Sequence, residues 1–206
     1  QRKFNDAQLF GIEKNLLGAY SSFALQQIME IWLNELSYVL YCLGIALPIW
    51  LILKLYTERY IRYYENFVLA MVTGCLLCLT IGSLYPTRGP DIALDNYYYL
   101  SIVGPWFSII VPQTMKIIAP STISFPAIYF CILVIASYYL WDFGYRYVLI
   151  SFILITGVYW GGVYLRYHYL ADGIIAIVIA FLSTSIAGII YYNKHGSPVV
   201  EDGGDP

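Results

Sequence analysis

Charged residues are scarce in this sequence: Asp, Glu, Lys and Arg make up 12% of its 206 residues, against about a quarter in an ordinary soluble domain. With 60% hydrophobic residues, a water-soluble core cannot absorb the apolar surface, so that class is excluded. There is no run of Lys or Arg, and the formal net charge is -2. The basic footprint that nucleic-acid binding requires is therefore missing. Cysteine is sparse too. Cys42, Cys75, Cys78 and Cys131 all lie in apolar stretches, where a thiol behaves as a small hydrophobe. Cys75 and Cys78 form a C-x-x-C with no second Cys or His pair to complete a metal site. The cysteines read as packing residues, and the sequence implies no metal and no cofactor.

Long apolar runs are what the sequence has in abundance. A spanning helix needs about 20 apolar residues, because the hydrocarbon core is about 30 Å thick and each residue rises about 1.5 Å. Charge-free runs of that order occupy 36–53, 66–87, 117–141, 147–165 and 173–192. They predict an all-α, polytopic transmembrane helical bundle of about five to six spans. A further run, 96–115, is broken by Gly104-Pro105 and Pro112. Such breaks free backbone groups that lipid cannot satisfy, so this run is expected to be re-entrant or interfacial.

Residues 1–35 carry Glu13, Lys14, Glu30 and Glu35 among Leu, Ile, Phe and Trp and read as an N-terminal amphipathic region at the membrane surface. Residues 36–192 form the membrane domain. Residues 193–206, with Gly, Pro and acidic side chains, read as a disordered tail. The positive-inside bias gives the orientation: five spans put Lys54, Arg59, Arg62, Arg146 and Lys194 on one face, expected to be cytoplasmic, with the C-terminus. The N-terminal region, the loop after Thr87 and the connection from Arg166 to Asp172 fall on the extracytoplasmic face. The 22 tyrosines suit the interface, where ring and hydroxyl are both accommodated.

The most informative segment is Tyr164-Leu165-Arg166-Tyr167-His168-Tyr169-Leu170-Ala171-Asp172, between two spans. If helical, it places His168 and Asp172 at i and i+4 on one face, where the carboxylate can accept the imidazole N–H. An acid orienting a histidine is the arrangement of activated nucleophiles and bases. Arg166 adds a planar cation suited to phosphate or carboxylate. The bland alternative is an interfacial ion cluster tying two helices together, although ionisable groups beside a span are functional candidates by default. A second segment, Tyr85-Pro86-Thr87-Arg88-Gly89-Pro90, makes a stiff turn able to fix Arg88 near that cluster; its alternative is a plain loop with an exposed Arg. A third, Ser124-Phe125-Pro126-Ala127-Ile128-Tyr129, is an apolar helix start with no obvious reactive group.

In order along the chain, these segments resemble the three motifs of the type 2 phosphatidic acid phosphatase superfamily, particularly its branch near the inositol phosphorylceramide synthases. That branch's motifs look like F-P-T-x-x-P, S-F-P-S-x-H and Y-L-x-x-H-Y-x-x-D. Here they stand as Y-P-T-R-G-P, S-F-P-A-I-Y and Y-L-R-Y-H-Y-L-A-D. The segment from Leu9 to Gly18 also looks like the amphipathic region before that branch's core.

The resemblance implies metal-independent phosphoryl transfer. His168 would attack phosphorus to form a phosphohistidine, Asp172 would orient it, and Arg88 and Arg166 would hold phosphate oxygens, in chemistry that rests on positioning and charge neutralisation. The second motif departs from the pattern: the family's phosphate-binding Ser and proton-donating His are replaced by Ala127 and Tyr129. His195, on the expected tail, is the only other histidine. Tyr129 is then the candidate proton donor, a poor one, because an unperturbed phenol has a pKa near 10 and a lost general acid costs about 10²- to 10⁴-fold. Gly162 and Ile81 also stand where the superfamily has an Arg and a Lys.

Three functions are compatible with this pattern. The first is an impaired family member, a pseudoenzyme that binds membrane lipids or lipid phosphates or serves as an accessory subunit beside other membrane proteins. Its Gly161-Gly162 pair suits internal packing or a partner helix. The second is an active lipid-phosphate phosphatase or head-group phosphotransferase. The third, a channel or transporter, is disfavoured because no ionisable groups fall at mid-depth.

Overall fold

The computed structural model describes residues 4–17, 21–118 and 125–195. These are helical, with no strand among them. In chain order the helices are α1 (Asp6–Leu17), α2 (Ser21–Ala24), α3 (Ile31–Thr57), α4 (Ile61–Leu84), α5 (Pro90–Ala93), α6 (Phe107–Ile118), α7 (Ile128–Leu140), α8 (Tyr145–Tyr164) and α9 (Leu170–His195). Short 3-10 turns follow α2, α5 and α7, at Leu25–Ile28, Asp95–Tyr97 and Trp141–Phe143. Helices α3, α4, α8 and α9 are each long and apolar enough to cross a membrane. Their outer faces expose Leu76, Leu79, Phe152 and Ile189, a surface suited to lipid rather than water.

The core sits around α7. This helix is apolar on every side, the pattern of a buried helix, and Cys131, Leu133, Ile135 and Leu140 are fully buried in it. It packs against α3, α4, α8 and α9. Close approach depends on small residues: a Cβ on Gly74 of α4 would lie 2.7 Å from Ile135 Cδ1, and one on Gly161 of α8 would lie 3.3 Å from the Ser37 carbonyl of α3. Gly161 therefore serves contact within the chain. The cysteines are free thiols, with Cys78 and Cys131 buried in this core.

The expected span 117–141 divides. Residues 117 and 118 close α6, α7 takes up the chain at Ile128, and 119–124 lie outside the described residues. Pro126 explains the late start, since it biases Phe125 away from helix. The 13 residues of α7 cover about 20 Å, and the turn Trp141–Phe143 extends it. The run 96–115 does not form a long helix either. The 12 residues of α6 begin beside Glu35 near the start of α3, whose carboxylate accepts the N–H groups of Trp106, Phe107 and Ser108.

Two ends of the bundle differ in character. One gathers Lys54, Arg59, Arg62 and Arg146 on the α3–α4 and α7–α8 turns, where the Tyr63 hydroxyl bonds Asp142 and Lys54 pairs with Glu58 at 2.6 Å. The other gathers the end of α4, the starts of α3, α7 and α9, and the end of α8, covered by α1, α2, α5 and α6. Helix α9 continues to His195, so residues 193–195 of the expected tail are helical; the rest of that tail lies outside the described residues.

Candidate functional site

The third motif forms a turn between α8 and α9. The N–H groups of Tyr167 and His168 both donate to the Gly162 carbonyl, at 2.9 and 3.1 Å, which swings His168 back over the last turn of α8. Gly162 makes this possible: a Cβ there would lie 3.2 Å from His168 Cδ2. Both members of the glycine pair are thus used inside the chain. The segment is not one continuous helix, as the i, i+4 reading supposed, because α9 starts only at Leu170. Asp172, fully buried, reaches back to accept the Tyr169 N–H at 2.8 Å, the carboxylate half of a capping box. The two side chains still face each other, with His168 Nδ1 3.7 Å from Asp172 Oδ2. That is ion-pair range for a protonated ring and longer than a hydrogen bond.

On the ring's other side, the Tyr41 hydroxyl lies 3.4 Å from His168 Nε2. The space beside them is a cavity of about 10 Å³, lined by Tyr41, Ala127, Phe130, Tyr159, Gly162 and His168 among others. A space of about 10–15 Å³ is what one water molecule needs. Tyr159 takes much of the remaining room. Its ring stacks on Phe130 at 5.3 Å and lies against Gly173, where any Cβ would collide with it, while its hydroxyl donates to the Leu170 carbonyl at 2.8 Å. The imidazole thus has a carboxylate behind it and a phenol in front. This suits a held base or nucleophile, but its outward nitrogen is covered.

The other two motif segments meet at this same end. Buried Thr87 accepts the Phe125 N–H at 3.1 Å, joining first motif to second, and Ala127 borders the cavity beside His168. Ser124 lies outside the described residues. Tyr129 is half-buried on the first turn of α7 and does not line the cavity; the phenol brought to His168 is Tyr41. Helix α1 locks the first and third motifs together. Asp6 accepts the N–H groups of Arg88 and Gly89, at 3.0 and 3.3 Å, and the Tyr169 hydroxyl at 2.7 Å. Glu13 accepts the Leu170 N–H at 2.6 Å and the Ser21 hydroxyl at 2.7 Å, putting a carboxylate at the positive start of α9. Burial, and then the hydrogen bond its hydroxyl donates to the Asp6 carboxylate, push the Tyr169 phenol well above its ordinary range.

The arginines point elsewhere. Arg88 is exposed, its guanidinium 4.2 Å from the Phe4 ring centroid. Arg166 is buried and turned toward the loop after α5: it donates to the Leu100 carbonyl at 2.6 Å and lies 3.8 Å from the Tyr98 ring centroid. Burial lowers its pKa, and its Nε has no hydrogen-bond partner. Asp91, at the start of α5, is a further acid at this end. Burial pushes it up to about 6, against the opposing pull of its own amide neighbours and of His168.

Tyr41, Asp6, Glu13 and Asp91 escaped the motif reading. The signal available for the acids was their placement among apolar residues beside spans; for Tyr41, one of many tyrosines, there was none. Among the described residues, no group of three His, Cys, Asp or Glu side chains is placed to hold a metal. Compared with protein-family models, curated proteins and solved structures, the chain matches none.

Proposed function

We propose that this chain is a multi-pass membrane protein related to the type 2 phosphatidic acid phosphatases, with an impaired lipid-phosphate site, acting as a lipid-binding or accessory subunit of a membrane assembly. The observation that carries this reading is the filled space around His168. Tyr41 lies over Nε2 at 3.4 Å, and the adjoining cavity has room for about one water, too little for a phosphate group. Convergence of the three motif segments at one end of the bundle supports the resemblance. Ala127 at the cavity wall, where the family has a phosphate-binding Ser, supports the loss of turnover. Positive charge gathered at the other end supports a cytoplasmic assignment for that end and an extracytoplasmic one for the site.

A second reading, active phosphotransfer through a phosphohistidine at His168, is favoured by the 3.7 Å approach of Asp172. Arg88 and Arg166 would hold the phosphate oxygens, and Tyr129, or Tyr41 in its place, would supply the proton. Phosphate release from a panel of lipid phosphates by the purified protein separates the two. The impaired reading expects none from the chain itself and some from the double variant Ala127→Ser with Tyr129→His. Release by the unaltered chain that disappears in His168→Ala overturns it in favour of the enzyme.

A further inference from the structure

Helices α3 and α8 pack side by side and are held close at one level by small residues. A Cβ on Gly157 would lie 2.8 Å from Leu40 Cδ1, and one on Gly44 would lie 2.5 Å from Val158 Cγ2. Toward the end of the bundle that carries Lys54 and Arg146, large side chains face the gap instead, and the two helices leave a groove of about 400 Å³ between them. Leu40, Leu43, Leu47 and Trp50 line it from α3, and Ile150 and Ile153 from α8. Every lining residue is hydrophobic.

The dimensions of the groove select what can occupy it. From Leu40 to Trp50 the helix rises about 15 Å, the depth of one leaflet of a hydrocarbon core about 30 Å thick. A transmembrane helix of a partner or of a second copy favours a seam of small residues that runs across both leaflets. Among the lining residues only Ala46 is small, and Gly44, Gly157 and Gly161 are already occupied by contacts inside the chain. An extended acyl chain needs neither the full depth nor the small residues.

Both lining stripes end on a cation. Leu40, Leu43, Leu47 and Trp50 recur at helical spacing, and the next position on that face is Lys54, whose Nζ lies 5.9 Å from the Trp50 ring centroid. Trp50 stacks on Tyr147 at 6.2 Å, an aromatic pair of the kind that marks the headgroup boundary. On α8, Arg146 stands one turn before Ile150 on the same face. The two cations differ in what they hold. Lys54 is paired with Glu58, whereas exposed Arg146 has the neighbouring Tyr145 hydroxyl at 3.4 Å and no ion pair among the described residues. Its complement is an oxyanion at the mouth of the groove.

We infer that this groove holds one acyl chain of an anionic phospholipid from the leaflet at the Lys54 end, with the headgroup charge at Arg146. The groove lies toward the opposite end of the bundle from His168, and the assignment does not rest on the lipid-phosphate reading of that site.

The test places the purified full chain in phosphatidylcholine vesicles and titrates in phosphatidylglycerol with brominated acyl chains, or brominated phosphatidylcholine in its place. Bromine quenches tryptophan fluorescence at contact range, and the difference between each protein and its Trp50→Phe counterpart isolates the Trp50 signal. Brominated phosphatidylglycerol is expected to quench Trp50 at about a fivefold lower mole fraction than brominated phosphatidylcholine, the effect of one cation at an anionic headgroup. Arg146→Gln should remove that preference. Ala46→Phe, which puts a ring into the groove from an exposed position, should also abolish it while leaving the thermal unfolding midpoint unchanged.

Equal quenching by the two lipids means that bulk bilayer fills the groove, and overturns the inference. A preference that survives Ala46→Phe overturns it too, since the lipid then sits elsewhere, and one that survives Arg146→Gln overturns the headgroup contact on which the choice of lipid depends. Absence of Trp50 quenching by either lipid means that protein covers the groove; the acyl-chain assignment then falls, and cross-linking in the vesicles tells a second copy from no partner of its own kind.

Discussion

The Tyr169 hydroxyl donates to Asp6 Oδ1 at 2.7 Å, and the same carboxylate holds the amides of Arg88 and Gly89. Asp6→Ala leaves these donors in a buried setting without their acceptor. Its expected cost is about 2–4 kcal/mol, the scale of unsatisfied buried groups and of bonds to a charged acceptor. Hydrogen exchange should localise the loss to α1 and the first-motif turn. Unchanged exchange at Arg88 and Gly89 would mean that Asp6 does not hold that turn.

Asp91 sets a pH dependence with a definite sign. Its folded pKa, raised by burial to about 6, exceeds the unfolded value of about 3.9. The folded state therefore binds more protons between about pH 4 and 6, and stability falls as pH rises through that window. Asp91→Asn should remove this contribution, flattening the dependence and raising the unfolding midpoint by a few degrees at pH 7 to 8. Midpoints measured from pH 4 to 8 check it; parallel curves for the two proteins would rule out the burial of Asp91.

Glycines in α9 offer a matched pair. A Cβ at Gly173 would run into the Tyr159 ring, whereas one at Gly188 would meet open space. Gly188→Ala should be neutral or stabilising by up to about 1 kcal/mol through helix propensity. Gly173→Ala should destabilise by about 1–3 kcal/mol through overpacking. Replacing both Gly173 by Ala and Tyr159 by Leu should recover part of the loss. Equal melting of the two single variants would contradict the packing of Tyr159 over Gly173.

Glu35 supplies the N-terminal cap of α6 from another helix, accepting the amides of Trp106, Phe107 and Ser108. Glu35→Ala should speed exchange across the first turn of α6 by roughly tenfold, as loss of a helix cap does, without exposing the core around α7. The same acceleration reaching Leu133 or Ile135 would mean that α6 is a structural part of the bundle rather than an appendage.

The long helices were legible because a charge-free run reports directly on lipid exposure: 36–53 and 147–165 fall inside α3 and nearly coincide with α8. The run 117–141 misled because the absence of charge does not reveal where backbone turns. Only its proline pattern bears on the division between α6 and α7. At the site, the spacing of His168 and Asp172 foretold their approach, but not the route by which Asp172 serves the start of α9 while facing the ring. Tyr41 could not be found by spacing, since it meets His168 across 127 positions.

The links from α1 also order events in time. Asp6 and Glu13 find Tyr169 and Leu170 only 163 and 157 positions later in the chain. At about 5–20 residues per second of synthesis, the two carboxylates wait roughly 8 to 30 s for those donors to be made. During that interval Glu13 already has the Ser21 hydroxyl in reach, and Asp6 gains the amides of Arg88 and Gly89 about halfway through. The cover over the motif end is therefore fastened in two stages, α1 meeting the first-motif turn as soon as α4 is complete and the third motif only when the start of α9 is made.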